Sequence, residues 1–492
     1  MKKRLSLGLG LALLACLALP GSALAQTGVE AVKGELDITW VMVSAVLVLL
    51  MQAGFLFLEI GFSRQKNVGA GVAKIFVNLG IVSLAWWAVG FGISSLSGNK
   101  IFGTEGFFFH HGQEVAGAVV GGTDAALMLF GMLFCAVSLA IVWGTTLERI
   151  KFSAYVIYAV FFGAIIYPLV AHGVYGGGVL ADIGGKPVMD FAGSSVVHLT
   201  GAVGGLAALL LLGPRHGKYG PDGKPRAIPG HSMPIVGLGV LLLWVGWYGF
   251  NAGSTFGTSD NLFAEVALNT QLAASAGAVV ASLVIYLKTK ALDVGMAGNG
   301  AIAGLVGITA PSGYVEFWAA PIIGAVAGVI VVFGVLAIDK YLDDPVGALS
   351  AHGLAGIWGT LSVGLFGSER LILDGAAPGV WYGVFGDAPL GATVGQFAVQ
   401  AIGVAATFVL VFVLSYAVFA AIKATIGLRV SPEEEEAGLD ISEHGMYGYP
   451  EQFIPQPEYS TGIPLGAGGA TASPPRPAPA GATQMTTATD PS

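Results

Sequence analysis

The sequence predicts an all-α polytopic membrane protein of eleven transmembrane helices built as an inverted repeat, and three observations predict it. Hydrophobic residues make up 54% of the 492, charged residues only 11%, and the mean hydropathy is +0.76, a composition outside the range of soluble globular chains. Beyond the first 25 residues, eleven stretches free of Asp, Glu, Lys and Arg are each long enough to cross a bilayer core, which takes about 20 residues of helix. One pattern, an aspartate followed eight residues later by a histidine, occurs twice, at Asp190 to His198 and at Asp344 to His352.

The eleven windows are 39–58, 75–99, 125–147, 152–181, 191–214, 227–259, 266–287, 294–315, 317–338, 345–368 and 388–422. Ahead of them, Lys2, Lys3 and Arg4, an apolar run and Ala23-Leu24-Ala25 have the three parts of a secretory signal, so residues 1–25 are read as a signal peptide and left out of the fold. The membrane domain is then 26–427, followed by a cytoplasmic tail over 428–453. A segment over 454–492, rich in Pro, Gly and Ala, is expected to be disordered. With two cysteines, one of them in the leader, there is no disulfide framework, and Cys135 reads as a buried thiol in an apolar run. A net charge of −8 without a basic stripe excludes nucleic acid as a partner.

Orientation follows from the basic residues between the windows. With the mature N-terminus outside, Arg64, Lys66, Lys74, Arg149, Lys151, Arg215, Lys218, Lys224, Arg226, Lys288, Lys290, Lys340, Lys423 and Arg429 lie on the cytoplasmic side. Only Lys33, Lys100, Lys186 and Arg370 lie outside. The positive-inside rule selects this arrangement.

The two Asp-to-His helices are spans 5 and 10. Five apart, they cross in opposite directions, which is the mark of an inverted repeat of spans 1–5 and 6–10 with span 11 added. Both aspartates read first as N-caps, and Asp344 followed by Pro345 is a favoured N-cap and N1 pairing. Eight residues of helix rise about 12 Å, so each imidazole lies well inside the membrane, near the midplane. His172, His198 and His352 lie within the uncharged windows. His172, near the exit of span 4, reads as a packing residue. The symmetry-related pair reads as functional, because an ionisable group at that depth is a site by default. Two imidazoles without a third ligand fall short of a metal site, and no cofactor or enzymatic reaction is called for.

Several longer motifs carry a family resemblance: DFAGSSVVH at Asp190 to His198, RQKNV at Arg64 to Val68, LERIKFSA at Leu147 to Ala154, GWYGFNAGS at Gly246 to Ser254 and GAIAGLVGITAPSGY at Gly300 to Tyr314. EEEEAGLDISEHGMYGY at Glu433 to Tyr449 joins them. Over about residues 30–450 the chain resembles the ammonium transporter (Amt/Rh) family, Amt branch. The resemblance implies the ammonium transporter fold, a homotrimer in the cytoplasmic membrane with one pore per protomer, and ammonium or ammonia as substrate. It implies an outer recruitment site of Phe134, Tyr175, Trp247 and Ser254 supported by Asp190, a gate of Phe130, Phe134 and Phe250, and a pore lined by His198 and His352. One position departs, since many relatives carry tryptophan before the three glycines where this chain has Tyr175.

The chemistry behind such a site is general. Aromatic faces attract a cation by about 2 kcal/mol or more once it is desolvated, and a serine oxygen accepts one of its hydrogen bonds. Moving the bare ion through an apolar lumen is costly, whereas an ammonium ion can leave its proton and pass as ammonia. Potassium has no such route. Two readings remain open: a transporter conducting ammonia, with the proton left behind or relayed separately, and an ammonium sensor on the same scaffold with little flux.

For the tail, the resemblance implies packing under neighbouring subunits and docking of a trimeric PII signalling protein. Gly438, Leu439, Asp440, His444 and Gly445 are the candidate contacts, and Glu433 to Glu436 read as a solvated acidic run.

Overall fold

A computed structural model describes residues 2–115, 118–119 and 121–450, with side chains for 29–113 and 121–450. The segment 454–492 expected to be disordered lies outside the described residues, as do the side chains of the expected signal peptide. Among the described residues, ten helices are long and apolar enough to cross a membrane. They are Val29–Phe62, Gln65–Ser94, Gly122–Thr146, Phe152–Tyr175, Ser194–Leu212, Met233–Ala252, Ser259–Thr289, Ala319–Ile338, Leu349–Phe366 and Leu390–Thr425. A shorter apolar helix, Val294–Thr309, takes the eighth place in the chain and completes the eleven expected spans. The first helix begins at Lys2 and is continuous to Phe62. The non-helical part is small, including one two-residue antiparallel ladder of Glu114–Val115 with Ala118–Val119.

The packing repeats in two halves. Span 1 lies on span 3 as span 6 lies on span 8, span 2 on span 4 as span 7 on span 9, and span 3 on span 5 as span 8 on span 10. Span 1 and span 6 pack on each other, joining the halves. With lipid on the outside there is no hydrophobic drive to bring helices together, so close approach through small residues does that work. A Cβ on Gly328 of span 9, for example, would lie 2.7 Å from the Gly277 carbonyl oxygen of span 7. Large apolar side chains such as Leu84, Val279, Phe333 and Val409 stay exposed on the outer surface of the bundle, where a bilayer would cover them.

The C-terminal residues gather on one side of the bundle, called here the tail face. Three carbonyls ending span 5 are held there by cations: Leu211 by Lys423, Leu212 by Arg429 and Gly213 by Arg149, as a helix C-terminus favours. Beside them Arg215 bridges Asp343 at 2.9 Å and Glu148 at 3.4 Å, and Arg64 reaches Glu148 at 2.7 Å. Burial works to raise the Asp343 carboxyl, but the Arg215 hydrogen bonds and the charges of Arg149 and Arg215 outweigh it and hold it at about 2. Burial pulls Arg149 down to about 10 despite the Asp343 charge.

The tail closes over this face of its own chain. Asp440 accepts from Ala70 N at 2.8 Å and Glu443 from Phe152 N at 2.9 Å, which places tail carboxylates on the free N–H groups that begin spans 2 and 4. Leu439 N donates to Asn67 Oδ1, Gly438 packs on Lys66, and His444 meets Phe152 edge-on at 5.0 Å. Burial lowers the His444 imidazole from its ordinary range. Gly445 is exposed. The acidic run departs from expectation at one residue. Glu435 is buried, accepting from His216 N and Arg429, because the short helix Pro432–Ala437 turns that side chain toward the bundle.

Candidate functional site

Asp190 sets the site. Its two carboxylate oxygens accept four backbone N–H groups, from Gly193, Ser194, Ser195 and Val196, at 2.8 to 3.0 Å. The turn requires Gly193 at φ +112°, where Val197 would also crowd a side chain. Asp344 repeats the arrangement, accepting from Gly347 N and Leu349 N. Each capped start leads into a widened π-type turn, Ser194–Leu199 and Leu349–Leu354, and each turn carries its histidine. Such turns cluster at functional positions because the extra residue re-aims a side chain.

The two histidines meet at Nδ1 to Nδ1, 3.2 Å apart, with ring centroids 5.3 Å apart. Both are buried. A hydrogen bond between two Nδ1 atoms needs one proton, so in a neutral pair one ring is the Nδ1 donor with an accepting Nε2 and the other is the Nδ1 acceptor with a donating Nε2–H. Among the described residues His198 Nε2 has no hydrogen-bond partner.

Away from the tail face, Phe250 lies 5.5 Å from His198 and stacks on Phe134 at 3.9 Å with planes 4° apart. Phe130 follows at 4.5 Å from Phe134. These rings end a cavity of about 430 Å³ lined by Phe130, Phe134, Tyr175 and Ser254 of the expected residues. Ser254 Oγ donates to the Phe250 carbonyl at 2.8 Å, leaving its lone pairs to accept. Tyr175 is 42% exposed at the rim.

One expected recruitment residue, Trp247, sits elsewhere. Trp247 is fully buried, stacked on His198 at 5.1 Å, its Nε1 donating to Thr309 Oγ1. Span 6 sets it about two helical turns before the cavity-lining Ser254, so it walls the histidine pair. Asp190, expected as a support, is not among the cavity-lining residues, and its oxygens hold the backbone that starts span 5. His172 contacts the carbonyls of Ser95 and Asn99, both at 2.8 Å, and ties the end of span 4 to the loop after span 2. Sequence reasoning missed Phe256, Trp86, Tyr167 and Phe191, the further aromatic residues of the cavity wall. Phe256 lies just past span 6, two residues beyond Ser254, and meets Phe130 edge-on at 5.5 Å. That proximity to a named motif was the one signal for it.

An open cavity, an aromatic constriction and a buried polar pair in line through a multi-span bundle define a membrane channel or transporter for a small solute. Residues 39–449 match the model of the Ammonium Transporter Family, and the chain belongs to that family. The ammonium transporter Amt2 of Archaeoglobus fulgidus is 40% identical over 461 residues, covering 90% of this chain and 94% of its own. The ammonium transporter of Bacillus subtilis is 34% identical over 429 residues, covering 85% and 99%. Among solved structures, a sensor Amt protein gives a TM-score of 0.76 at 33% identity, covering 84% of this chain and 100% of that one. Mep2 of Candida albicans gives 0.73 at 26% identity, covering 86% and 92%.

Proposed function

We propose that the protein takes up ammonium by recruiting NH4+ at the aromatic cavity, removing its proton and conducting NH3 past the histidine pair, with the proton left behind or relayed separately. Family membership supports ammonium or ammonia as the substrate. The observation that carries the mechanism is the 3.2 Å Nδ1 contact of His198 and His352 behind a ring stack in contact. A bare cation there would be surrounded by buried, largely apolar side chains, while a small neutral molecule finds a donor and an acceptor. In the cavity, the faces of Phe130, Phe134 and Tyr175 attract the cation, and Ser254 accepts from it.

The setting belongs to the same reading: a homotrimer in the cytoplasmic membrane, the tail face inside, the mature N-terminus outside after loss of residues 1–25, and a PII-family protein docking at the tail. The density of Lys and Arg on the tail face supports that orientation. The sensor reading keeps one specific support, the likeness to a sensor Amt protein.

Ammonium uptake into proteoliposomes, measured with ammonium-driven current on a solid-supported membrane, tests the proposal. Saturable uptake that potassium does not replace is expected. Ammonium binding without flux would favour the sensor and overturn transport.

A further inference from the structure

Past His352, toward the tail face, the line of groups ends in a second, much smaller cavity. Phe55, Glu59, Gly144, Asn299, Val346 and His352 are among the residues around it. Its volume, about 10 Å³, is at the threshold for one water molecule. On this side the Phe55 ring lies 6.2 Å from His352, and Glu59 is one helical turn further along the same span.

Glu59 is 1% exposed, and among the described residues neither of its carboxylate oxygens has a hydrogen-bond partner. That is unusual for a carboxyl inside a membrane helix, where such groups are satisfied by a partner or used by the mechanism. Lys74 of span 2 acts on it as a charge but makes no hydrogen bond to it. The remaining titratable groups that face it are His352 across the cavity and the Tyr155 phenol of span 4, whose hydroxyl is engaged by the Lys74 carbonyl at 2.6 Å. Spans 3, 6 and 8 present Gly144, Leu243 and Asn299, none of which titrates.

We propose that Glu59 is the proton-exchange group at the inner end of the pore, giving a proton to ammonia that has passed His352 and taking one back from hydronium at the tail face. The inference rests on the reading that ammonia passes the histidine pair. In the step, the nitrogen lone pair takes the carboxyl proton. An N–H bond forms, the O–H bond breaks, and its electron pair stays on the Glu59 carboxylate. Hydronium then returns a proton to that carboxylate and leaves as water. The balance is NH3 and H3O+ to NH4+ and H2O. Lys74 tempers the hold of the transient carboxylate on the new ammonium ion, so the ion departs instead of lodging there.

Ammonium uptake into proteoliposomes is measured with the pH on the tail-face side varied, for the wild type, Glu59→Gln and Glu59→Asp. Wild-type uptake should depend on that pH. Glu59→Gln should lower uptake about a hundredfold, at the lower end of what a positioned acid–base group contributes, and abolish the pH dependence. Glu59→Asp, which withdraws the carboxyl by one methylene, should be slower yet keep the dependence. Size-exclusion and melting profiles check that each variant is folded. Wild-type uptake in Glu59→Gln, or slow uptake with the pH dependence intact, overturns the proposal. If Glu59→Gln does not fold, Glu59→Asp decides, and unchanged uptake overturns it. A wild-type protein without uptake overturns the underlying reading as well, so the two failures are distinct.

Discussion

Phe134 and Phe250 lie face to face, 3.9 Å between centroids, with the cavity on one side and His198 on the other. At that spacing nothing passes between them, so transit requires a ring to move. Phe250→Ala would join the cavity to the histidine chamber and let water in. Discrimination of ammonium over potassium, read from ion-substitution currents, should fall by about tenfold or more, because one desolvation step worth about 1.4 kcal/mol or more is lost. Removing a fully buried ring should also destabilise the fold by about 3–5 kcal/mol.

The histidine pair is tested by charge and by deletion. His198→Ala should lose most ammonium uptake in a folded protein, because the shared proton and its partner go together. His352→Glu places a fixed acid in the lumen and should admit potassium, seen as potassium-driven current. Full uptake in a folded His198→Ala, His352→Ala double variant would reduce the pair to packing.

In the cavity, Ser254→Ala removes an acceptor and should raise the half-saturating ammonium concentration about fivefold, the effect of about 1 kcal/mol for one hydrogen bond. Tyr175→Trp should lower it about two- to fivefold, since the indole face holds cations better than phenol. Uptake titrations check both, and shifts of opposite sign are required.

Asp343 links pH to stability. Its carboxyl is held at about 2 against an ordinary 3.8, so its contribution is complete above about pH 4 and is lost as pH falls through about 2. The difference corresponds to about 2 kcal/mol. Asp343→Asn should lower the melting temperature at neutral pH and flatten its decline between about pH 4 and 2, as read by fluorescence melting.

The number and order of the spans were legible because absence of charge over about 20 residues is a strong signal, and the paired Asp-to-His pattern marked the two helices that meet. The same rule hid Glu59 and Lys74. Windows that exclude charged residues stop at Leu58 and resume at Ile75, so both residues were placed outside the spans that bury them. Trp247 was misplaced for a different reason. Its neighbours in GWYGFNAGS point to several depths, and a π-type turn at Tyr248–Ala252 changes the phase that a regular helix would give. Glu435 shows the limit of composition, since one member of an acidic run is buried on the nearby Arg429 and on the backbone amide of His216, which lies far away in the sequence.

The two aspartate-headed helices run antiparallel, each with its imidazole the same distance from its cap. Their dipoles therefore oppose one another along the pore and largely cancel where the rings meet. The midpoint has no electrical preference for either direction. Rectification, where it arises, belongs to the unlike mouths: an aromatic basin at one end and a lone carboxyl behind a dense lattice of charge at the other.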